Sequence, residues 1–380
     1  MIAAWLPSEL LIEAFRYLTL TEQCLVLALV CRRYRSLCRS LPLCCSFDVQ
    51  SAMASALLPA VCMGTVPLWQ RRRRCQSLQR AVIDPCYWLR WLLLKCHTYR
   101  RDMLRDLRVT ACDVPWPLLD RVVTLCGHRL TSLDLSHCLA ATDAVLLECV
   151  AKCPNLRCLT LNFCAALTRE GVAGALKATS CLHSLSLCGM SQVDDAVLLA
   201  ALGAHHRSLT TLNLRATGVS VSAFAALTEP SRSLRVMGLS CCIRLTDAAM
   251  AHIARLYPSL EDISVDSCDA ITDVGVRALT SGVVGLQRLS VARCRRVTDA
   301  SVLPMLSRFS STLRVVSLDD TKVSCDALAA VLRGEAMEEA SLVGCKYVKA
   351  GLSRTSLRRG IHQAGRVHMF KKPTRVYLEI

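Results

Sequence analysis

Aromatic side chains are scarce, at 5% of 380 residues, which suits thin, regular cores rather than one built around large rings. Long apolar runs are missing as well. The best candidates, Leu25–Cys31 and Trp91–Leu94 with its neighbours, are broken by Arg and Lys well short of the roughly 18 residues that cross a bilayer. The opening MIAAWLPSELLIEAF lacks a basic n-region and a signal-type cleavage site, and it carries acids that a transit peptide avoids. The expected address is cytoplasmic or nuclear. Paired C-x-x-C ligands do not occur, and the near case Cys149 and Cys153 has no His close by, so no metal site is expected. A Gly-rich phosphate loop, an H-E-x-x-H helix and a Ser elbow are all lacking, so neither a catalytic residue nor a cofactor is expected.

What is abundant is hydrophobic residues, at 53%, and cysteine, at 24 residues. The first argues for a large buried core and against wholesale disorder. The second has three explanations. Disulfides would require secretion, and zinc would require paired ligands; the third is a small buried residue at a fixed place in a repeat. The positions decide for the third.

Segments beginning at Leu104, Leu130, Leu156, Leu182, Leu209, Leu234, Leu260, Leu286, Leu313 and Met337 share the template L-x-x-L-x-L-x-x-C. Successive starts lie 24 to 27 residues apart, and a weak copy begins at Leu78. Such self-similarity marks a repeat architecture. The alternating L-x-L reads as a short strand with one face inward. After the Cys comes a hydrophobic-Thr-Asp step, as in Ala141-Thr142-Asp143 and Ile271-Thr272-Asp273. There Thr suits a helix N-cap and Asp complements the positive helix end. Met250 and Ile253, or Val276 and Leu279, then recur at helical spacing. Each unit is thus strand–turn–helix and cannot bury its apolar faces alone. The expected fold is an α/β horseshoe solenoid, with a parallel sheet on the concave face and helices outside. Three buried Leu-class side chains per unit supply roughly 5–8 kcal/mol.

This pattern resembles the cysteine-containing subfamily of leucine-rich repeats over Leu104 to Cys345. Met190, Thr217 and Thr321 depart from the Cys, and Met237 and Ala340 from a strand Leu.

The first 40 residues differ. In LPSELLIEAFRYL, Leu10, Leu11, Ala14, Phe15 and Leu18 trace one helical face, and Thr19 to Glu22 has capping-box spacing ahead of a second helix. A helical trio this small needs something to dock on. The bland reading is a cap on the solenoid. The segment also resembles the F-box, carried by Leu6, Pro7, Glu9, Leu10, Phe15, Leu18, Val30, Cys31, Arg32 and Tyr34; Ala14 and Tyr34 stand where Ile and Trp are usual. The resemblance implies that Leu6, Pro7, Leu10, Phe15, Leu18, Val30, Cys31 and Tyr34 bind the small adaptor that joins F-box proteins to a cullin scaffold. The chain would then be a non-catalytic receptor in a ubiquitin ligase. Some proteins with this combination instead serve as fixed parts of large assemblies such as ciliary axoneme complexes, which is the alternative, with a cytoskeletal address.

The expected organisation is a helical F-box at 1–40, a connector at 41–77, the repeat array at 78–345 and a basic tail at 346–380. Charge follows it. Residues 51–110 carry eleven basic against three acidic groups, and residues 346–380 nine against one. The array itself is nearly neutral. Basic flanks suit an acidic partner, while the absence of interleaved aromatics disfavours nucleic acid. An unknown protein target is expected on the concave face, at positions alternating with the strand leucines and therefore free of core duty. These include Asp134, Thr160, Asn162, Asn213, Arg215, Asp262, Asp266 and Asp319. The acids among them suggest a basic patch on the target.

Overall fold

Each L-x-x-L-x-L segment forms a three-residue strand centred on the second apolar residue of the template, as a computed structural model of the chain shows for residues 46–48, 104–110, 115–348 and 375–377. The chain divides into two units, residues 1–180 and 181–380.

In the first unit the strands are β1 (Ser46–Asp48), β2 (Asp106–Arg108), β3 (Ser132–Asp134) and β4 (Cys158–Thr160). They pair in that order, all parallel, with Leu107, Leu133 and Leu159 in register. Between them run α1 (Trp116–Cys126) and α2 (Asp143–Ala151), and α3 (Arg169–Ala178) follows β4. Helices of consecutive repeats pack together.

In the second unit β5 (Ser184–Ser186), β6 (Thr211–Asn213), β7 (Val236–Gly238), β8 (Asp262–Ser264), β9 (Arg288–Ser290), β10 (Val315–Ser317) and β11 (Glu339–Ser341) form a parallel sheet in chain order. The helices are α4 (Asp195–His205), α5 (Val221–Ala226), α6 (Asp247–Leu256), α7 (Asp273–Gly282), α8 (Asp299–Arg308) and α9 (Cys325–Arg333). Crossovers this long, each carrying a helix, are what parallel strands require. The fold is an α/β leucine-rich-repeat solenoid.

The central residue of every repeat strand, from Leu107 through Met237 and Ile263 to Ala340, is at most 2% exposed. Met237 and Ala340 depart from the template and are as buried as the leucines they replace. Met250, Ile253, Val276 and Leu279 meet the strands from the helix side and are buried too.

Two short strands lie outside the 78–345 span expected for the array. β1 falls within the supposed connector, and β12 (Arg375–Tyr377), within the supposed tail, pairs parallel with β11. A strand has two edges, and those of β2 are taken by β1 and β3. The weak copy at Leu78 lies outside the described residues, as do Cys112, the cysteine of the copy that begins at Leu104, and the F-box segment.

Candidate target-binding face

Repeat position 8, the residue before the conserved Cys, bends the strand into its turn in the repeats from Leu130 onward. Seven non-glycine residues there, among them His137, Phe163, Cys241 and Arg293, have φ between 54° and 61°, alongside Gly189 and Gly344. This left-handed conformation costs a residue with a Cβ on the order of 1–2 kcal/mol. The compensation is a hydrogen bond to the next repeat: the N–H groups of His137, Cys241 and Arg293 donate to the carbonyls of Asn162, Asp266 and Asp319 at 2.8, 2.7 and 2.6 Å. The side chains of His137 and Phe163 stack with centroids 4.7 Å apart.

The recurrent cysteines sit behind this turn. Cys138, Cys164, Cys242, Cys268, Cys294 and Cys345 are buried, and their thiols donate to carbonyls of the preceding repeat. Cys164 reaches Leu135 O at 3.1 Å and Cys294 reaches Val265 O at 3.2 Å. Burial pushes the Cys268 thiol up to about 12 and the Cys164 and Cys294 thiols up to about 11, so all three stay protonated. The cysteine is therefore a small buried residue that also satisfies a carbonyl. Where Thr217 and Thr321 replace it, the hydroxyl turns to its own repeat's Leu214 and Leu318 carbonyls at 2.6 and 2.5 Å.

The Thr-Asp step does more than cap a helix. Thr272 donates its N–H and its hydroxyl to the Asp247 carboxylate of the preceding repeat at 2.8 and 2.6 Å, and its oxygen accepts from Val274 N–H at 3.1 Å. Asp143–Thr168, Asp195–Ser220 and Asp273–Thr298 repeat that clasp. A single hydroxyl donates back to the carboxylate while its oxygen accepts from the helix N–H, a short two-way role that suits Thr or Ser. The position three residues on must be small. A Cβ on Gly171 or Gly275 would overlap the Asp143 or Asp247 carboxylate.

Sequence inspection sees Asp as a partner for its own helix end, because one repeat read alone does not show the next. The signal that reveals the clasp is Asp paired with Thr or Ser 25 residues later.

On the sheet face turned from the helices, Asp134, Thr160 and Asn162 of the first unit are half-exposed. In the second unit Asn213, Asp262, Asp266 and Asp319 are half-exposed and Arg215 is exposed. These side chains stand outside the core, and several of them also hold hydrogen bonds on the sheet face. Asp134 accepts from the N–H and hydroxyl of Ser136 at 2.9 and 2.6 Å, and Asn213 from Arg215 N–H at 3.1 Å. Asp266 accepts from Ser240 and Ser290 hydroxyls and from Ala292 N–H; Asp319 accepts from Ser341 hydroxyl at 2.5 Å and Val343 N–H at 2.8 Å. Alternation gives the side of the sheet a residue faces. It does not give its partner. Burial raises Asp262 above the ordinary carboxylate value, with Arg288 at 3.9 Å opposing.

At the strand-entry edge of the second unit lies an open groove of about 830 Å³, bordered by Arg232, Arg235, Glu261, Gln287, Arg314 and Glu338. Its charges are largely internal, as Arg235 meets Glu261 at 2.5 Å and Arg314 meets Glu338 at 3.4 Å. Among the described residues no cluster of three His, Cys, Asp or Glu is placed to hold a metal ion, and no helix is long and apolar enough to cross a membrane. The adaptor-binding set Leu6, Pro7, Leu10, Phe15, Leu18, Val30, Cys31 and Tyr34 lies outside the described residues.

Comparison with known families matches the F-box domain at residues 4–46. Among solved structures, the chain is similar to one in the yeast complex of Rad7 and Elc1, with a TM-score of 0.51 and 18% identity over 79% of this chain and 83% of that one. A chain of a TLR13–ssRNA13 complex matches with a TM-score of 0.46 and 19% identity, over 64% of this chain and 33% of that one.

Proposed function

We propose that this chain is the substrate-recognition subunit of a cullin-based ubiquitin ligase of the F-box type, working in the cytoplasm or nucleus. The observation that carries the reading is an F-box match at residues 4–46 on the same chain as a stack of leucine-rich repeats. The F-box holds the adaptor and, through it, the cullin; the repeats, of the cysteine-containing subfamily, hold a target protein. Ubiquitin transfer belongs to other subunits, so the chain contributes position rather than chemistry.

The test is co-purification of adaptor and cullin with the full chain, and with Leu6→Ala/Pro7→Ala. Loss of both partners on substitution supports the receptor. Unchanged association after substitution counts against the F-box assignment, and retention in a detergent-resistant cytoskeletal fraction without adaptor points to an architectural role, as in an axoneme.

A further inference from the structure

Beyond the sheet face, where Asp266 and Asp319 accept from serine hydroxyls and backbone N–H groups, a second row of charge lies at the turns. Just past the conserved Cys, at repeat position 10, stand Ile243, Asp269, Arg295, Lys322 and Lys346 of five consecutive repeats, all exposed. The row changes from apolar to acidic to basic, and the last three repeats are basic. Arg296 follows Arg295 and is exposed as well.

The turns carrying these residues are held side by side. Lys322 N–H donates to Val297 O at 3.0 Å, and backbone bridges pair Thr272 with Arg296 and Thr298 with Lys322. Neighbouring turns therefore follow the strand spacing of roughly 5 Å, and three of them span roughly 10 Å. An extended chain covers that distance in about three residues at ~3.3 Å each.

Arg295, Arg296, Lys322 and Lys346 form no ion pair among the described residues. Five acids lie in the same turns and helix starts. Asp320 is drawn to Arg293 at 3.6 Å, Asp273 and Asp299 accept from the next repeat's Thr298 and Ser324, and Asp269 and Asp326 remain exposed. The array as a whole is close to neutral, so these four cations reflect segregation rather than a basic protein throughout.

We propose that this turn edge docks a short acidic segment, rich in Asp and Glu, of the target protein, a proposal that rests on the receptor reading above. It reverses the partner charge that the sheet-face aspartates suggest in the sequence. Charge complementarity on exposed groups sets association and partner choice more than gross affinity.

The experiment measures binding of a fluorescein-labelled octaglutamate peptide to the purified full chain by fluorescence anisotropy at low salt. Arg295→Glu/Arg296→Glu and, independently, Lys322→Glu/Lys346→Glu are each expected to weaken binding about tenfold, the scale of two reversed surface pairs. Arg71→Gln/Arg72→Gln, in the basic flank, is expected to change it less than twofold. Binding within twofold of the unmodified chain in both turn-edge variants overturns the proposal. So does an eight-nucleotide single strand that binds more tightly than the peptide and is lost with Arg295→Glu/Arg296→Glu. Adaptor co-purification from the same preparations reads residues 4–46 alone, so a missing adaptor with the expected peptide behaviour sinks the receptor reading and leaves the surface standing.

Discussion

The carboxylate of Asp273 receives both the N–H and the hydroxyl of Thr298, at 2.9 and 2.6 Å, and so ties the start of one helix to the start of the next. Ser301 adds its hydroxyl at 2.6 Å. Removing the carboxylate leaves three donors without their acceptor. Asp273→Ala is expected to cost about 2 kcal/mol, the scale of part-buried polar groups left unmade, and to lower the urea midpoint. An unchanged midpoint would show the clasp to be incidental.

The same residue sets an acid dependence. Burial alone would raise Asp273, but hydrogen bonds from Ser301 and Thr298 outweigh it and hold the carboxyl below its ordinary value. A folded value below the unfolded one means the stabilisation is complete above the unfolded value and is lost as pH falls through the folded one. As pH falls below the ordinary carboxylate value of about 4, the protein should therefore lose stability more steeply than Asp273→Asn. Urea unfolding across that range checks this, and parallel curves would contradict it.

Two glycines on helices should respond with opposite sign. A Cβ on Gly275 would overlap the Asp247 carboxylate, whereas one on Gly203 meets nothing within 4 Å. Gly203→Ala is expected to be neutral or to stabilise by up to about 1 kcal/mol, because it lowers the entropy of the unfolded chain. Gly275→Val is expected to destabilise by more than 1 kcal/mol, as overpacking does. Thermal melts of the two variants side by side decide it.

Thiol labelling separates the ladder from the surface. Cys181 is exposed, while Cys164, Cys268 and Cys294 are buried and kept protonated. The reactive species is the thiolate, so native maleimide treatment should modify Cys181 and spare the three ladder residues until denaturant is added. Peptide mapping by mass spectrometry reads this directly. Modification of Cys268 as fast as Cys181 would mean the thiol is not locked behind the turn.

The strand centres were legible because burial repeats: Leu133, Leu159, Leu185 and Leu212 are each fully buried for the same geometric reason, and Leu212→Ala should cost about 2–5 kcal/mol. Equilibrium denaturation measures that loss. The left-handed turn residue left no trace, since His137, Phe163, Ala216 and Asp320 share a conformation and no chemistry. β1 and β12 escaped because Ser46-Phe47-Asp48 and Arg375-Val376-Tyr377 keep the pairing but stand outside the regular 24 to 27-residue spacing. The hydrogen-bond partners of the sheet-face acids were not legible, because Asp266 and Asp319 find serines one repeat away that alternation along a single strand does not reveal.

The clasp has a bearing on how such a chain changes in length. Excising Thr272 through Val297, one whole period, would bring Thr298 into the place of Thr272 and hand it the Asp247 carboxylate that Thr272 now holds. The joinery closes over the gap without a new part. Reach along the sheet is thus adjustable in increments of one strand, roughly 5 Å apiece.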